Sequence, residues 1–187
     1  NSCACLITLS EDLKSWLEQR VNVPVISVLH PTEIPIRKWS PIKFMSSSAP
    51  RVIQIGYWLR RMESILDLQV SYPYKKLWLP SNPSYMEEIL SRTKYWEEKY
   101  RWAGVSHTEW FSNDDYDDLL SSGIVFLDLY DSSANNAVIE SIARHTPILV
   151  NRVPAVVEYL GEDYPFYYSN LDEAAHLLSD RQNIFDA

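Results

Sequence analysis

Three stretches of this chain combine residue types that chemistry uses at spacings it can use. The densest is Asp131-Ser-Ser-Ala-Asn-Asn136, six residues with one apolar member, between a predicted strand and a predicted helix. Unpaired N–H groups at a helix start favour an anion, so this loop reads as an anion site. On a helical period Ser133, Asn136, Glu140 and Arg144 share one stripe, while Ala134, Val138 and Ile142 share the stripe predicted to pack inward. One turn separates Asn136 from Glu140, roughly 6 Å along the axis. That step matches the one from a phosphate to the hydroxyls of its ribose, so a diphosphate at the helix start with Glu140 on the ribose fits the spacing. A plainer reading fits as well: Ser132, Ser133, Asn135 and Asn136 only cap the helix, and Glu140 pairs with Arg144.

The second stretch is Gly56-Tyr-Trp-Leu-Arg60-Arg61. Gly at a strand end lets backbone approach a ligand, and adjacent arginines can neutralise phosphate charge. It is no GxGxxG loop, and four glycines in the whole chain are too few for a glycine-rich phosphate cradle. Read alone, Arg60 and Arg61 fit surface charge equally. The third stretch is Trp110-Phe-Ser-Asn113, whose aromatic and amide groups suit a nucleobase; the run Asp114-Asp-Tyr-Asp-Asp118 behind it lacks the Gly and closing Glu of a calcium loop and reads as a helix start with a solvated face. There is no G-x-S-x-G elbow, HExxH or P-loop, and the four histidines (His30, His107, His145, His176) stand singly.

Composition narrows the field. The chain has 187 residues, 46% of them hydrophobic, and a formal net charge of −8, with 17 Lys and Arg against 25 Asp and Glu. Such a chain buries a real core, and its acidity argues against a nucleic-acid partner. An aromatic share of 13% excludes disorder. No apolar run approaches the ~18 residues of a membrane span. Cys3 and Cys5 lie too close together for a useful disulfide and lack companions for a metal site, so they read as two reduced, buried thiols of a cytoplasmic protein. The chain opens on Asn, with no basic and apolar leader, and reads as a piece of something larger.

The elements that must position these loops alternate. Residues 4–9, a helix capped by Ser10, and the strand from Val23 make one βαβ unit, which implies parallel pairing. Residues 31–50, rich in Pro and Ser, read as a linker. From Arg51 strand and helix alternate again. Val52–Gly56 is a strand, Leu59–Leu68 a helix with Arg60 and Arg61 in its first turn, and Lys76–Pro80 a strand. Ser84-x-x-Glu87 opens a helix to about Trp102, His107–Phe111 is a strand, and Tyr116–Leu120 a helical turn. Ile124–Leu129, Pro147–Asn151 and Phe166–Tyr168 are strands, and helices cover 133–144, 154–160 and 171–178. The predicted class is α/β, a Rossmann-like parallel sheet with helices on both faces.

Glu140-Ser-Ile-Ala-Arg-His-Thr-Pro147-Ile-Leu-Val-Asn151, followed by Pro154-Ala-Val-Val-Glu158-Tyr-Leu-Gly161, resembles the donor-binding half of GT-B glycosyltransferases, in particular the large retaining group that uses nucleotide-diphosphate sugars. The resemblance runs over most of the chain and is strongest from Ile124 to Gly161. It implies three parts: residues 1–30 as the end of the acceptor-side domain, 31–50 as the interdomain linker, and 51–187 as the nucleotide-sugar donor domain. It implies that Glu140 contacts the donor ribose, that Arg60 or Arg61 meets the diphosphate, and that the loop at Trp110–Asn113 meets the base. The family often carries two glutamates with seven residues between them; the position eight before Glu140 is Ser132, so no sugar identity carries over. His145 stands where Gly is typical. No metal and no cofactor are expected, since helix dipole and basic side chains offset the leaving diphosphate in this fold. A GT-B site lies between two domains, so the expectation is donor binding with little transfer until an acceptor-side domain completes the cleft. Two other readings share the sequence: an inactive GT-B-like interaction module, and a different Rossmann-like enzyme acting on nucleotide sugars.

Overall fold

A computed structural model describes residues 3–62, 64–71, 73–79, 104–107 and 111–186. Strand β1 (Leu6–Thr8), helix α1 (Glu11–Glu18) and strand β2 (Val25–Ser27) form the predicted βαβ unit, with β1 and β2 parallel. Ser10 caps α1 by accepting from the Leu13 N–H, as its position ahead of the acidic pair Glu11 and Asp12 predicts. Ile7 and Ile26, paired across the two strands, remain exposed. Cys3 is exposed and Cys5 half-buried, both free, so the expected burial of the thiols does not occur.

The stretch read as a linker contains helix α2 (Pro41–Ser46), capped by Ser40. Phe44 is fully buried, the Trp39 indole donates to the Gly123 carbonyl, and Arg181 donates to the carbonyls at the end of α2. Proline and serine, taken there for loop residues, start and cap a short helix, a use both residues share.

Strands β3 (Arg51–Ile55), β4 (Lys75–Leu79), β5 (Val105–His107), β6 (Ile124–Leu127), β7 (Ile148–Asn151) and β8 (Tyr167–Tyr168) form one sheet in the order β5-β4-β3-β6-β7-β8, every pairing parallel. This is the doubly wound order of a dinucleotide-binding sheet, and it reverses direction between β3 and β6. Alternate strand residues feed two cores. Val52, Ile124, Phe126 and Leu149 face helices α3 (Ser64–Asp67), α7 (Leu171–Ser179) and α8 (Arg181–Asp186), together with α2. Ile53, Val125, Leu127, Ile148 and Val150 face α4 (Asn113–Leu120), α5 (Asn136–Arg144) and α6 (Pro154–Leu160). The expected class, a parallel sheet with helices on both faces, is the class observed.

Helix α6 carries the βαβ unit. The Glu158 carboxylate accepts from the Glu11 N–H at 2.8 Å and caps α1 from outside, where the helix dipole favours an anion. The Tyr159 hydroxyl donates to the Leu9 carbonyl and accepts from the His30 N–H. Among the described residues no helix is long and apolar enough to cross a membrane.

Two differences from the predicted elements bear on the site. The helix expected over 59–68 begins only at Ser64. Leu59 has a φ of 54°, and the chain from it pairs backwards: Arg60 bridges Leu129 in antiparallel fashion, Arg61 N–H donates to the Asp128 carbonyl, and Tyr130 N–H to the Leu59 carbonyl. Arg60 and Arg61 therefore lie in a pinned loop, not a helical turn. The helix expected from Ser133 begins at Asn136, and its buried side is Ala137, Val138 and Ile139. Ile142, predicted to face inward, is 40% exposed.

At the end of α5, His145 has a φ of 59° and closes the helix in the left-handed conformation. Glycine is favoured there because a Cβ costs about 1–2 kcal/mol. His145→Gly is expected to raise stability by about 0.5–1 kcal/mol after the unfolded chain's added freedom is subtracted. Urea unfolding of the two proteins reads this directly, and a less stable glycine variant would overturn it.

Candidate functional site

Beyond the carboxyl ends of β3 and β6, at the point where the sheet order reverses, lies a cavity of about 580 Å³. Open α/β sheets place ligands at this position. Three loops and one helix wall build it. After β3 the chain turns at Gly56, whose φ of 74° suits a residue without a Cβ, and Tyr57 to Arg60 follow along the rim. After β6, Asp131 to Asn136 lead into α5, and from across the sheet Phe111, Asn113 and Tyr116 bring the start of α4. Ile55, Leu79 and Phe111 supply an apolar wall.

The polar centre is a junction. Asn135 caps α5, its side-chain oxygen accepting from the Ala137 N–H at 3.1 Å. The same oxygen accepts from Arg60 Nη2 at 2.7 Å. One amide thus seats a guanidinium at the positive end of a helix, two features that attract anions. Arg60 Nε is buried and has no hydrogen-bond partner among the described residues. Burial holds the pKa of Arg60 below the ordinary guanidinium value, while the nearby Tyr116 and Glu140 raise it.

One turn further along α5 is the Glu140 carboxylate, half-buried in the cavity wall. Its Oε2 accepts from the Tyr116 hydroxyl at 2.6 Å. Burial, then the charge of Glu140, push the Tyr116 pKa well above that of an ordinary phenol, so the hydroxyl stays a donor. Behind Tyr116, Arg144 donates from Nε and Nη2 to Asp117 Oδ1 at 2.9 and 2.6 Å. Its Nη1 donates to the Glu140 carbonyl. Arg144 pairs with Asp117 and not with the Glu140 carboxylate, which removes the plainer reading of that pair.

Comparison with known proteins adds the fold. No family model and no curated protein matches the sequence. Among solved structures, sucrose-phosphate synthase from Thermosynechococcus elongatus superposes with a TM-score of 0.74 at 13% identity, over 97% of this chain and 50% of that one. A glycosyltransferase from Rickettsia africae gives 0.63 at 12% identity over 95% of this chain and 53% of its own. Anabaena HepE, in complex with UDP and glucose, gives 0.72 at 9% identity over 95% and 53%. This chain has the fold of one half of a GT-B glycosyltransferase. It spans about half the length of the structures it matches.

Within this fold the cavity gathers Gly56, Arg60, Asn113, Ser132, Ser133, Asn135, Asn136 and Glu140 of the residues singled out from sequence. Arg61 is not part of its lining. It forms an ion pair with Asp128 at 2.7 Å and lies over the Tyr130 ring, beside the point where the Ser64 hydroxyl donates to the same carboxylate. Trp110, with the helix expected over 84–102 and its Trp96 and Trp102, lies outside the described residues. Ser132 is buried, with its N–H donated to the Asp131 carboxylate. Sequence reading missed Tyr116 as a lining residue; the spacing of Asn113 and Tyr116, three apart on one helix, was the available signal. Among the described residues no group of three or more His, Cys, Asp and Glu side chains is placed to hold a metal ion.

Proposed function

We propose that this chain is the donor-binding half of a glycosyltransferase and that the cavity takes a nucleotide-diphosphate sugar. The observation that carries the reading is the pairing, in one cavity at the sheet's reversal point, of the Arg60–Asn135 junction at the start of α5 with Glu140 one turn along. The diphosphate sits at the junction, where Arg60 and the helix dipole offset the charge that grows on it as the sugar leaves. Glu140 accepts from ribose hydroxyls. The base lies toward Phe111, Leu79 and Asn113, where an aromatic face and an apolar wall adjoin. The fold likeness supports this reading, and one of those matches, HepE, is a complex with UDP and glucose.

The sugar to be transferred needs an acceptor, and in a two-domain fold of this kind the acceptor meets it across a cleft. We assign that side to further polypeptide packed on the exposed face of β1 and β2, where Ile7 and Ile26 stand 65% and 49% exposed. The chain by itself binds donor and transfers little.

Calorimetric titration with UDP, GDP and dTDP, with Glu140→Ala alongside, tests the reading. One nucleotide is expected to bind at micromolar strength, and the substitution to weaken it about tenfold through loss of a charge-assisted hydrogen bond. Silence from all three nucleotides would leave the interaction-module reading standing and end this one.

A further inference from the structure

Resting on the ribose-binding reading of Glu140, we infer that Tyr116 is a positioning residue that sets how the cavity recognises ribose hydroxyls. A glutamate on a helix face has three rotatable bonds and, unaided, presents either oxygen in many directions. Here one direction is selected. Tyr116 donates to Oε2 at 2.6 Å from a neighbouring helix, and among the described residues no donor reaches Oε1, which is left to accept from a ligand. Both residues line the cavity.

The tyrosine is itself held. Arg144, ion-paired to Asp117 at 2.6 Å, lies 5.7 Å from the centre of the Tyr116 ring and donates to the backbone carbonyl of Glu140. Helix α4 and helix α5 are thus clamped at two successive residues of α4, Tyr116 through its hydroxyl and Asp117 through its carboxylate. The half-buried phenol gives its one proton to the carboxylate across 2.6 Å, a charge-assisted hydrogen bond that is not easily traded away. The consequence is a carboxylate fixed before ligand arrives, and less ordering cost is left to subtract from binding. Loss of the phenol oxygen should therefore weaken recognition of ribose hydroxyls and leave recognition of diphosphate and base as it was.

The experiment compares UDP, GDP and dTDP with their 2′,3′-dideoxy counterparts, which lack the free ribose hydroxyls, on the wild type, Tyr116→Phe, Glu140→Ala and the double variant. Tyr116→Phe is expected to weaken the hydroxyl-bearing nucleotide about fivefold and the dideoxy form by less than about twofold. In the Glu140→Ala background the same change should have no further effect, because nothing is left to position. Equal weakening of both nucleotides, or of neither, overturns the inference; a merely structural tyrosine gives the first of these. Its failure is separable from failure of the underlying reading. If nucleotide binds and Glu140→Ala weakens it while Tyr116→Phe does not discriminate, only the positioning role falls. If no nucleotide binds at all, both fall together.

Discussion

Asp117→Ala is expected to lower the unfolding free energy by about 3 kcal/mol, which makes it one of the most damaging single changes outside the apolar core. The side chains of Arg144 and Asp117 are 9% and 14% exposed, so the pair is nearly dry. Two guanidinium nitrogens converge on one carboxylate oxygen. Removing the carboxylate leaves a buried cation whose one remaining acceptor among the described residues is the Glu140 carbonyl. That stranded charge, rather than the intrinsic strength of the bridge, is the source of the loss. Asp117→Leu combined with Arg144→Leu should therefore recover most of it, because a buried pair and an apolar pair of similar volume differ little. Urea unfolding of the wild type and these two variants measures both statements. A single-variant loss below about 1 kcal/mol would show that water reaches the pair.

Arg60→Ala is expected to weaken nucleoside diphosphate binding by about 10- to 100-fold, the range of a charge-assisted contact to phosphate. Binding of the unphosphorylated nucleoside should hardly change. Two effects add. The positive charge at the start of α5 disappears, and Asn135 loses the donor that fixes its side chain, although its cap on the Ala137 N–H remains. Arg60→Lys should recover only part, since one ammonium cannot both donate to Asn135 and present a fork to a diphosphate. Arg61→Ala serves as the contrast. Its partner is Asp128, so it should cost stability and leave affinity near wild type. Competitive titration with nucleoside and nucleoside diphosphate separates these outcomes. Equal weakening of both ligands by Arg60→Ala would place the arginine away from the phosphates.

The elements that were legible are those with strong local causes. Apolar runs such as Ile124–Leu127 and Ile148–Asn151 made strands, Ser10 capped a helix, and Pro154 opened α6. The misreadings have a common form. Leu59 to Met62 looks like the start of a helix because nothing in its composition forbids one, yet hydrogen bonds to residues nearly 70 positions away fold it back across the sheet. A left-handed Leu59 is tolerated only because those bonds over-determine it. Similarly, the plainer of the two readings of α5 pairs Arg144 with the carboxylate four residues earlier on its own helix. Asp117, from a helix that packs alongside, takes it instead.

By itself the sequence determined the α/β class, the parallel alternation and the loop that opens α5, because periodicity and helix capping act over a few residues and leave their mark in residue order. The tertiary structure decided which of two arginines enters the cavity, which oxygen of Glu140 is held, and that the Pro- and Ser-rich stretch wraps the sheet through Trp39 and Phe44. These are contacts between elements far apart in the chain. Several partners of the right type exist for each charged group, and packing geometry alone selects among them.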